Sequence, residues 1–520
     1  MNKYLQENQF LIPSYSIYRE NTQSYNYGIF GTKIKNNIVK LWKKYFDDNN
    51  TYQIETSIIT PEIVLEKSKY IDNLVEYVVT DSKKRNYNAK TILKDHYKRI
   101  NDQISLNQID LWDENKMIQE IKQNKLLHNP KIHLVGQLYH IPMANNSSQF
   151  LRPDLTQNIV TDFGMYDQFL KHKTSYQIYQ IGKVFMNRVI PSDLYNNHIK
   201  YDNSRDKNNY FHLYNQKEYT LIELLHFFDP TKTNSDIIIT NLIDKTYQFI
   251  KATNINPELL KLEKLTKNDT PHYATNTTNI NIQIDDKYIT LVSISNRSDF
   301  DIKSHFKSLK SKRLLETPIT KTQFIPKLNK PLIVNKYKNL YYKIEQHFNG
   351  MKQSQLKLIK NETFKNSQQM FLMLDSKVCI LTSKMLEIEE REIKIKYEEY
   401  YPNIISLQMN VDKIFISTIQ NNLKHDNKIL TLPTYLSPYK IAIINQNNEL
   451  YKKIVSNIKI KYFSHKSSSL EKSLKYFDKI GIKYTLIISK STVLRDRDSK
   501  NEITIDTDSI NTTLEKLLKY

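Results

Sequence analysis

The sequence predicts a mixed α/β protein: an α+β core in which an antiparallel sheet is flanked by helices, and a separate α/β domain at the carboxy end. Three observations lead there. Near the amino end the pattern runs amphipathic helix, strand, proline, helix. In the middle, two long β-type segments bracket a polar stretch. After Pro438, strand-like and helix-like segments alternate at short intervals.

The first helix is predicted over Lys33 to Phe46, where Ile34, Ile38, Leu41, Trp42 and Tyr45 share one face and Lys33, Lys40, Lys43 and Lys44 fall largely elsewhere. The run TYQIETSIITPEIVLEKS then reads as a strand ending at Pro61, with Pro61 and Glu62 suited to the first turn of a second helix. YQIYQIGKVFMN (Tyr176 to Asn187) and YFHLYNQKEYTLIELLHFF (Tyr210 to Phe228) are expected to pair as an antiparallel hairpin. Its tip, Ser192 to Asn209, has no apolar periodicity and reads as a long loop. Two more strands are expected between Ile282 and Ile302, followed by the basic run Lys303 to Arg313, read as a solvated helix face with an RNA contact as the alternative. Past the linker LPTYLSP (Leu432 to Pro438) the alternation predicts a compact α/β domain with a largely parallel sheet. The expected divisions are 1–231 and 350–431 for the core, 232–349 for a connecting segment, and 432–520 for the last domain.

Composition limits the function. Lys and Arg number 76 against 55 Asp and Glu, a formal charge of +21 that favours polyanionic partners such as RNA or DNA. Seven glycines, with no GxxxxGK[ST] or GxGxxG, exclude the phosphate-binding loops of P-loop and dinucleotide-binding folds. The 13 histidines show no HExxH spacing, so no metal site is expected. The one cysteine, Cys379, sits in the apolar run FLMLDSKVCIL and reads as a small buried hydrophobe. No apolar run approaches the ~18 residues of a membrane span and no secretory signal is evident, so the expectation is a soluble intracellular protein of the cytoplasm or mitochondrion, with no membrane partner.

Several strings, in order, resemble those of one family. They are YNYGIFGTKIKNNIVKLW (Tyr25 to Trp42), ITPEIVLEKSKYIDN (Ile59 to Asn73), FLRPDLTQNIVTDF (Phe150 to Phe163), QIGKVFMNRVIP (Gln180 to Pro191) and KEYTLIELLHFFDP (Lys217 to Pro230). The second half adds HYATNT with SNRSDFDIKSH, then YPNIISLQMNVDKIF (Tyr401 to Phe415) and VLRDRDS (Val493 to Ser499). Over nearly its whole length the chain resembles eukaryotic-type glycyl-tRNA synthetases, which are class II aminoacyl-tRNA synthetases. The resemblance implies a class II antiparallel sheet flanked by helices, an anticodon-binding-like carboxy domain, a homodimer joined through the first helix and the Pro61 strand, and tRNA as partner.

The family's active site holds a bent ATP with arginines on the phosphates and an aromatic ring on adenine, while carboxylates hold the amino acid's ammonium. Guanidinium suits this work through its paired hydrogen bonds to phosphate oxygens. Carried over position by position, the hairpin Arg falls on Met186 and its Glu partner on Arg188. A second hairpin Arg falls on Asn215, an upstream Arg on Asn88, and the last motif's Arg on Lys413. Family Glu, Ser and Gly near the end of the core become Ser406, Gln408 and Asn410, and a further Glu becomes Thr290. Arg152, Asn187, Glu218, Tyr219 and Lys413 are the nucleotide-pocket candidates, and Asp154, Glu223 and Gln408 the amino-acid-pocket candidates. For the survivors among them, retained ligand contacts and bare scaffold are both open. Arg188 shares a strand face with Met186 but stands roughly 6.6 Å along it, and it leaves the Glu role empty. Arg495 and Arg497 are the RNA-binding candidates, and SLEKSLK (Ser469 to Lys475) lacks the glycine and paired arginines of the family's segment.

These changes point to a protein deficient in aminoacylation that acts by binding tRNA or another nucleic acid, or as an accessory subunit in a protein complex. The alternative is a divergent but active glycine–tRNA ligase using ATP and Mg, with Lys413 and Arg188 covering lost phosphate contacts.

Overall fold

A computed structural model describes residues 2–18, 24–144, 148–171, 175–188, 211–285, 287–306, 315–363, 369–424, 428–465, 469–506 and 509–518. The chain forms two compact units, one of residues 1–312 with 402–520 and one of residues 313–401. The segment 232–349 is therefore shared between them, since strands from its first half enter the main sheet.

That sheet has seven strands, in the order Leu260–Lys264, Asn276–Ile284, Lys287–Ser298, Asn403–Asn410, Glu218–Phe228, Ser175–Phe185 and Thr51–Gln53. All neighbours are antiparallel except the last pair. The predicted hairpin is present as Ser175–Phe185 paired with Glu218–Phe228. Its tip, Ser192 to Asn209, lies outside the described residues, as does most of the basic run after Phe306. Alternation along each strand divides the sheet into two faces. Tyr179, Ile222, Leu224, Leu407 and Met409 point to the side covered by helices and join one continuous apolar core. Gln180, Glu223, Gln408 and Ser293 stand opposite one another across four strands and face the other way.

The first helix runs Ile29–Phe46, four residues longer at its start than predicted. Phe30 and Gly31 are buried there, and a Cβ at Gly31 would lie 1.9 Å from the Phe10 carbonyl oxygen, so this turn is held by close backbone approach rather than by the apolar stripe. Phe30, Ile34, Ile38, Trp42 and Phe46 are buried, whereas Leu41 and Tyr45 are only partly so. Trp42 stacks on Phe46 at 4.7 Å and meets Tyr179 at 5.0 Å, which joins the helix to the hairpin. The short strand Ile59–Pro61 leads into the helix Glu62–Lys67 with Pro61 as its N-cap.

The carboxy domain has a five-stranded sheet ordered Tyr462–Ser464, Ile441–Asn445, Tyr484–Ile488, Thr492–Asp496, Glu502–Thr504. Two pairs are parallel and two antiparallel, so the sheet is mixed rather than largely parallel. The difference arises at Thr492–Asp496, where VLRDRDS supplies a returning strand directly after a short turn. The unit 313–401 has its own core, with Ile333, Ile344, Phe348, Cys379 and Leu381 buried beneath a two-stranded ribbon, Leu315–Leu328 with Leu386–Tyr400. Cys379 is buried and free. No helix among the described residues is long and apolar enough to cross a membrane.

Phe30 also reaches the carboxy domain, edge-on to Tyr439, Phe463 and Tyr476 at 6.4, 5.2 and 6.5 Å. Phe30→Ala is expected to cost ~3–5 kcal/mol in denaturant unfolding and to expose the carboxy domain to protease first; unchanged stability and cleavage would show that this contact does not join the two regions.

Candidate functional site

The register of the sheet places Glu223 between Gln180 and Gln408 on the face away from the helices. Glu223 is fully buried. Its Oε2 accepts from the Leu155 amide at 2.9 Å, and its Oε1 accepts from the Thr156 hydroxyl and from Gln408 Nε2 at 2.9 Å. Asp154 is held beside it, accepting from the Tyr70 hydroxyl and, at 3.1 Å, from the Thr156 amide. Burial and the neighbouring Asp154 charge push Glu223 up to about 7. Burial raises Asp154 too, with Arg297 pulling the other way.

Arg297 is the counter-charge, and the sequence reading did not single it out. It ends the strand Lys287–Ser298 and is fully buried. Nε and Nη2 donate to the two oxygens of Asp301 at 2.6 and 2.9 Å, Nη2 also reaches the Tyr70 hydroxyl at 3.3 Å, and the guanidinium lies 3.7 Å from the centre of the Tyr273 ring. Nη1 has no hydrogen-bond partner among the described residues. Asp301 is further held by Gln157 Nε2 at 2.8 Å, and the Asp301 carboxyl is lowered despite its burial because Arg297 stabilises its charge. The i, i+4 spacing of Arg and Asp in NRSDFD was the available signal for this pair.

The nucleotide-side candidates have been given other work or separated. Arg152 is buried over Gly182, where a Cβ would lie 2.3 Å from its Nη2. Its donors go to backbone carbonyls: Nε to Lys183 at 2.8 Å and Nη1 to Thr56 and Ser57 at 3.0 and 3.3 Å. Met186 is 5% exposed, with its amide donating to the Lys217 carbonyl at 2.8 Å. Asn187 donates its amide to the Gln137 carbonyl at 2.7 Å and accepts from Lys217 Nζ at 3.3 Å. Arg188 is half-buried and makes no hydrogen bond or ion pair among the described residues, yet its charge is felt at Tyr219 and Lys413. Lys413 Nζ donates to the Thr290 carbonyl at 3.0 Å, and burial and Arg188 push it down to about 7. Lys413, Thr290 and Asn215 line a cavity of about 240 Å³ with Tyr214 and Lys287. Glu218 is exposed and paired with Lys183 at 3.0 Å.

The structure thus brings Asp154, Glu223 and Gln408 together around Arg297, and sets Arg188, Tyr219, Lys413 and Asn215 near one another. Ser406 is buried between Leu225 and Ser295 of the flanking strands. Asn410 N-caps the helix Val411–Asn422 with φ −82°, accepting from the Lys413 amide at 2.9 Å, so glycine is not required there. Asn88 lies in a separate three-stranded sheet and N-caps the helix Ala89–Arg99 through the Thr91 amide. The RNA-binding candidates Arg495 and Arg497 lie inside the carboxy domain. Both are buried; Arg495 pairs with both oxygens of Asp478 at 3.2 Å, and Arg497 donates to the Leu430 and Leu432 carbonyls at 2.6 and 3.3 Å. Guanidiniums so placed are bonded to the fold.

No family model matches the chain. It is similar over nearly its whole length to glycine–tRNA ligases of eukaryotes and archaea. Glycine–tRNA ligase 2 of Saccharomyces cerevisiae is 21% identical, covering 98% of this chain and 94% of that protein. The glycine–tRNA ligase of Methanococcus vannielii is 21% identical, covering 96% of each. Among solved structures, prolyl-tRNA synthetase of Cryptosporidium parvum complexed with L-proline and AMP superposes with a TM-score of 0.51 at 9% identity, covering 100% of this chain and 77% of that one. The fold is that of class II aminoacyl-tRNA synthetases.

Two measurements probe the site. Removing the buried guanidinium in Arg497→Ala is expected to cost about 2–4 kcal/mol of stability, because carbonyls lose their donor, while RNA affinity of the folded variant is unchanged; a loss of affinity without a loss of stability would restore a direct contact. Glu223 has a folded value near 7, above its ordinary 4.5, so its contribution to stability is complete below that ordinary value and is lost as pH rises through about 7. In Glu223→Gln the fall in thermal midpoint between pH 5 and pH 8 should be smaller than in the parent chain; parallel curves would assign the titration elsewhere.

Proposed function

We propose that this glycyl-tRNA-synthetase-like chain no longer aminoacylates and works instead by binding tRNA or another nucleic acid, alone or as the accessory subunit of a complex. The observation that carries the reading is the buried Met186, which supplies neither charge nor donor where the family has a phosphate-binding guanidinium. Glu223 supports it, since three protein donors already occupy its oxygens and would have to be displaced by a substrate ammonium. Arg152, the surviving arginine nearby, donates to main-chain carbonyls. Loss of the reaction leaves such a fold intact because these residues are bonded to the scaffold rather than to a ligand.

A homodimer fits the exposed Ile58, Ile59 and Ile63 around the Pro61 strand, an apolar cluster that a second copy would cover. The assigned location is intracellular, in the cytoplasm or mitochondrion.

One observation favours the active-ligase reading. Among the described residues Arg188 has no hydrogen-bond or ion-pair partner and its charge acts on Lys413 and Tyr219, and Arg297 Nη1 has no hydrogen-bond partner. Under that reading the chain uses ATP and Mg to form glycyl-adenylate. The deciding assay is glycine-dependent exchange of pyrophosphate into ATP by the pure protein. No exchange is expected, together with retained, salt-sensitive RNA binding; robust exchange that fails in Arg188→Ala would establish the ligase instead.

A further inference from the structure

With Arg495 and Arg497 turned inward, the surplus positive charge of the carboxy domain must act from its lysines. On one side these are neutralised: Lys475 pairs with Glu471 at 2.6 Å, Lys500 with Asp478 at 3.3 Å, and Lys483 lies 3.8 and 3.6 Å from Asp496 and Asp498. Another region differs. Where the start of the helix Ile29–Phe46 meets the approach to the strand Tyr462–Ser464, an open cleft of about 410 Å³ is lined by Lys33, Lys459, Lys461, Tyr439 and Tyr462, with Ile458 and Ile460 beside the lysines and no carboxylate among the described residues. The three lysines make no ion pair among the described residues. Lys33 Nζ rests 4.2 Å from the centre of the Tyr439 ring, an aromatic face taking the place of a counter-ion.

We propose that this cleft binds a single-stranded nucleic acid, with Lys33, Lys459 and Lys461 on its phosphates and the rings of Tyr439 and Tyr462 against unpaired bases. The proposal rests on the nucleic-acid reading above and names the surface through which it operates. Ammonium groups on flexible stems attract phosphate as point charges, which positions a strand without reading its sequence. Aromatic rings distinguish this ligand from an acidic peptide, which would use the lysines and leave the rings idle. They also distinguish it from a duplex, whose bases are already stacked.

The test uses the full chain and a fluorescently labelled 12-nucleotide single-stranded RNA of mixed sequence, followed by anisotropy at several salt concentrations. Lys459→Ala with Lys461→Ala is expected to weaken binding about tenfold and to reduce the slope of log affinity against log salt by about 1.4, since each single-strand phosphate contact contributes about 0.7. Tyr462→Leu should weaken binding with the slope unchanged. Lys475→Ala, which removes a neutralised lysine, should do neither. A duplex of the same sequence and poly-glutamate should compete poorly. If the parent chain binds no RNA, both this proposal and the reading beneath it fail. If RNA binds and the cleft variants, with unchanged thermal midpoints, bind as well as Lys475→Ala, only the cleft is ruled out. Equal competition by duplex or by poly-glutamate would overturn the single-stranded assignment.

Discussion

Two neighbouring carboxylates, Glu223 buried on a central strand and the partly buried Asp154 in the stretch just before the helix Thr156–Thr161, constrain everything around them. An isolated buried carboxylate is too costly to keep ionised, so each must be paired, hydrogen-bonded or protonated. Here all three solutions are present. Arg297 provides the charge, Tyr70, Thr156, Leu155 and Gln408 provide donors, and the raised values of both acids indicate where compensation is incomplete. Because those partners come from four separate stretches of chain, satisfying the two acids fixes the short helix after Leu155, the central strands and the Phe300–Phe306 helix relative to one another.

The candidate site positions are tied into the scaffold by hydrogen bonds of this kind. Gln408 donates to Glu223 from across the strand pair, and its amide is longer than the serine of the resembled family, so it reaches the carboxylate directly. Asn410 caps a helix, Asn88 caps another, and Arg152 bridges the hairpin to the stretch before Ile59. Each of these residues has a defined place in the scaffold. Retention of the surrounding sequence is then no evidence that a substrate is held, because the scaffold alone explains it.

Much of this was legible in the sequence, for identifiable reasons. The hairpin strands, the Ile29–Phe46 helix and the alternation after Pro438 are local patterns with strong apolar periodicity, and they were read correctly in type. The earlier helix start was hidden because Phe30 and Gly31 are fixed by tertiary contact with Phe10, which no periodicity records. The mixed carboxy sheet was missed because Thr492–Asp496 ends in two adjacent charged residues, Arg495 and Asp496, and looks like a loop, although Arg495 is buried by its ion pair. Arg297 went unnoticed for a related reason. A charged residue in a strand reads as exposed unless its partner is known, and Asp301 lies beyond the strand's end.

The contrast between arginine and lysine in the carboxy domain follows from the same physics. Guanidinium is more weakly hydrated and offers a planar set of donors, so it can be taken inside where carbonyls or a carboxylate match it; ammonium is held more strongly by water and stays at the surface unless neutralised. Arg495 and Arg497 have accordingly been drawn into the fold, while Lys33, Lys459 and Lys461 remain at an open cleft. A domain arranged in this way can attract a polyanion but has few fixed donor forks with which to distinguish one sequence from another. Under the single-strand proposal, selectivity at such a surface comes from the shape of the strand and from stacking on the tyrosines, so that it depends on the strandedness of the ligand rather than on its sequence.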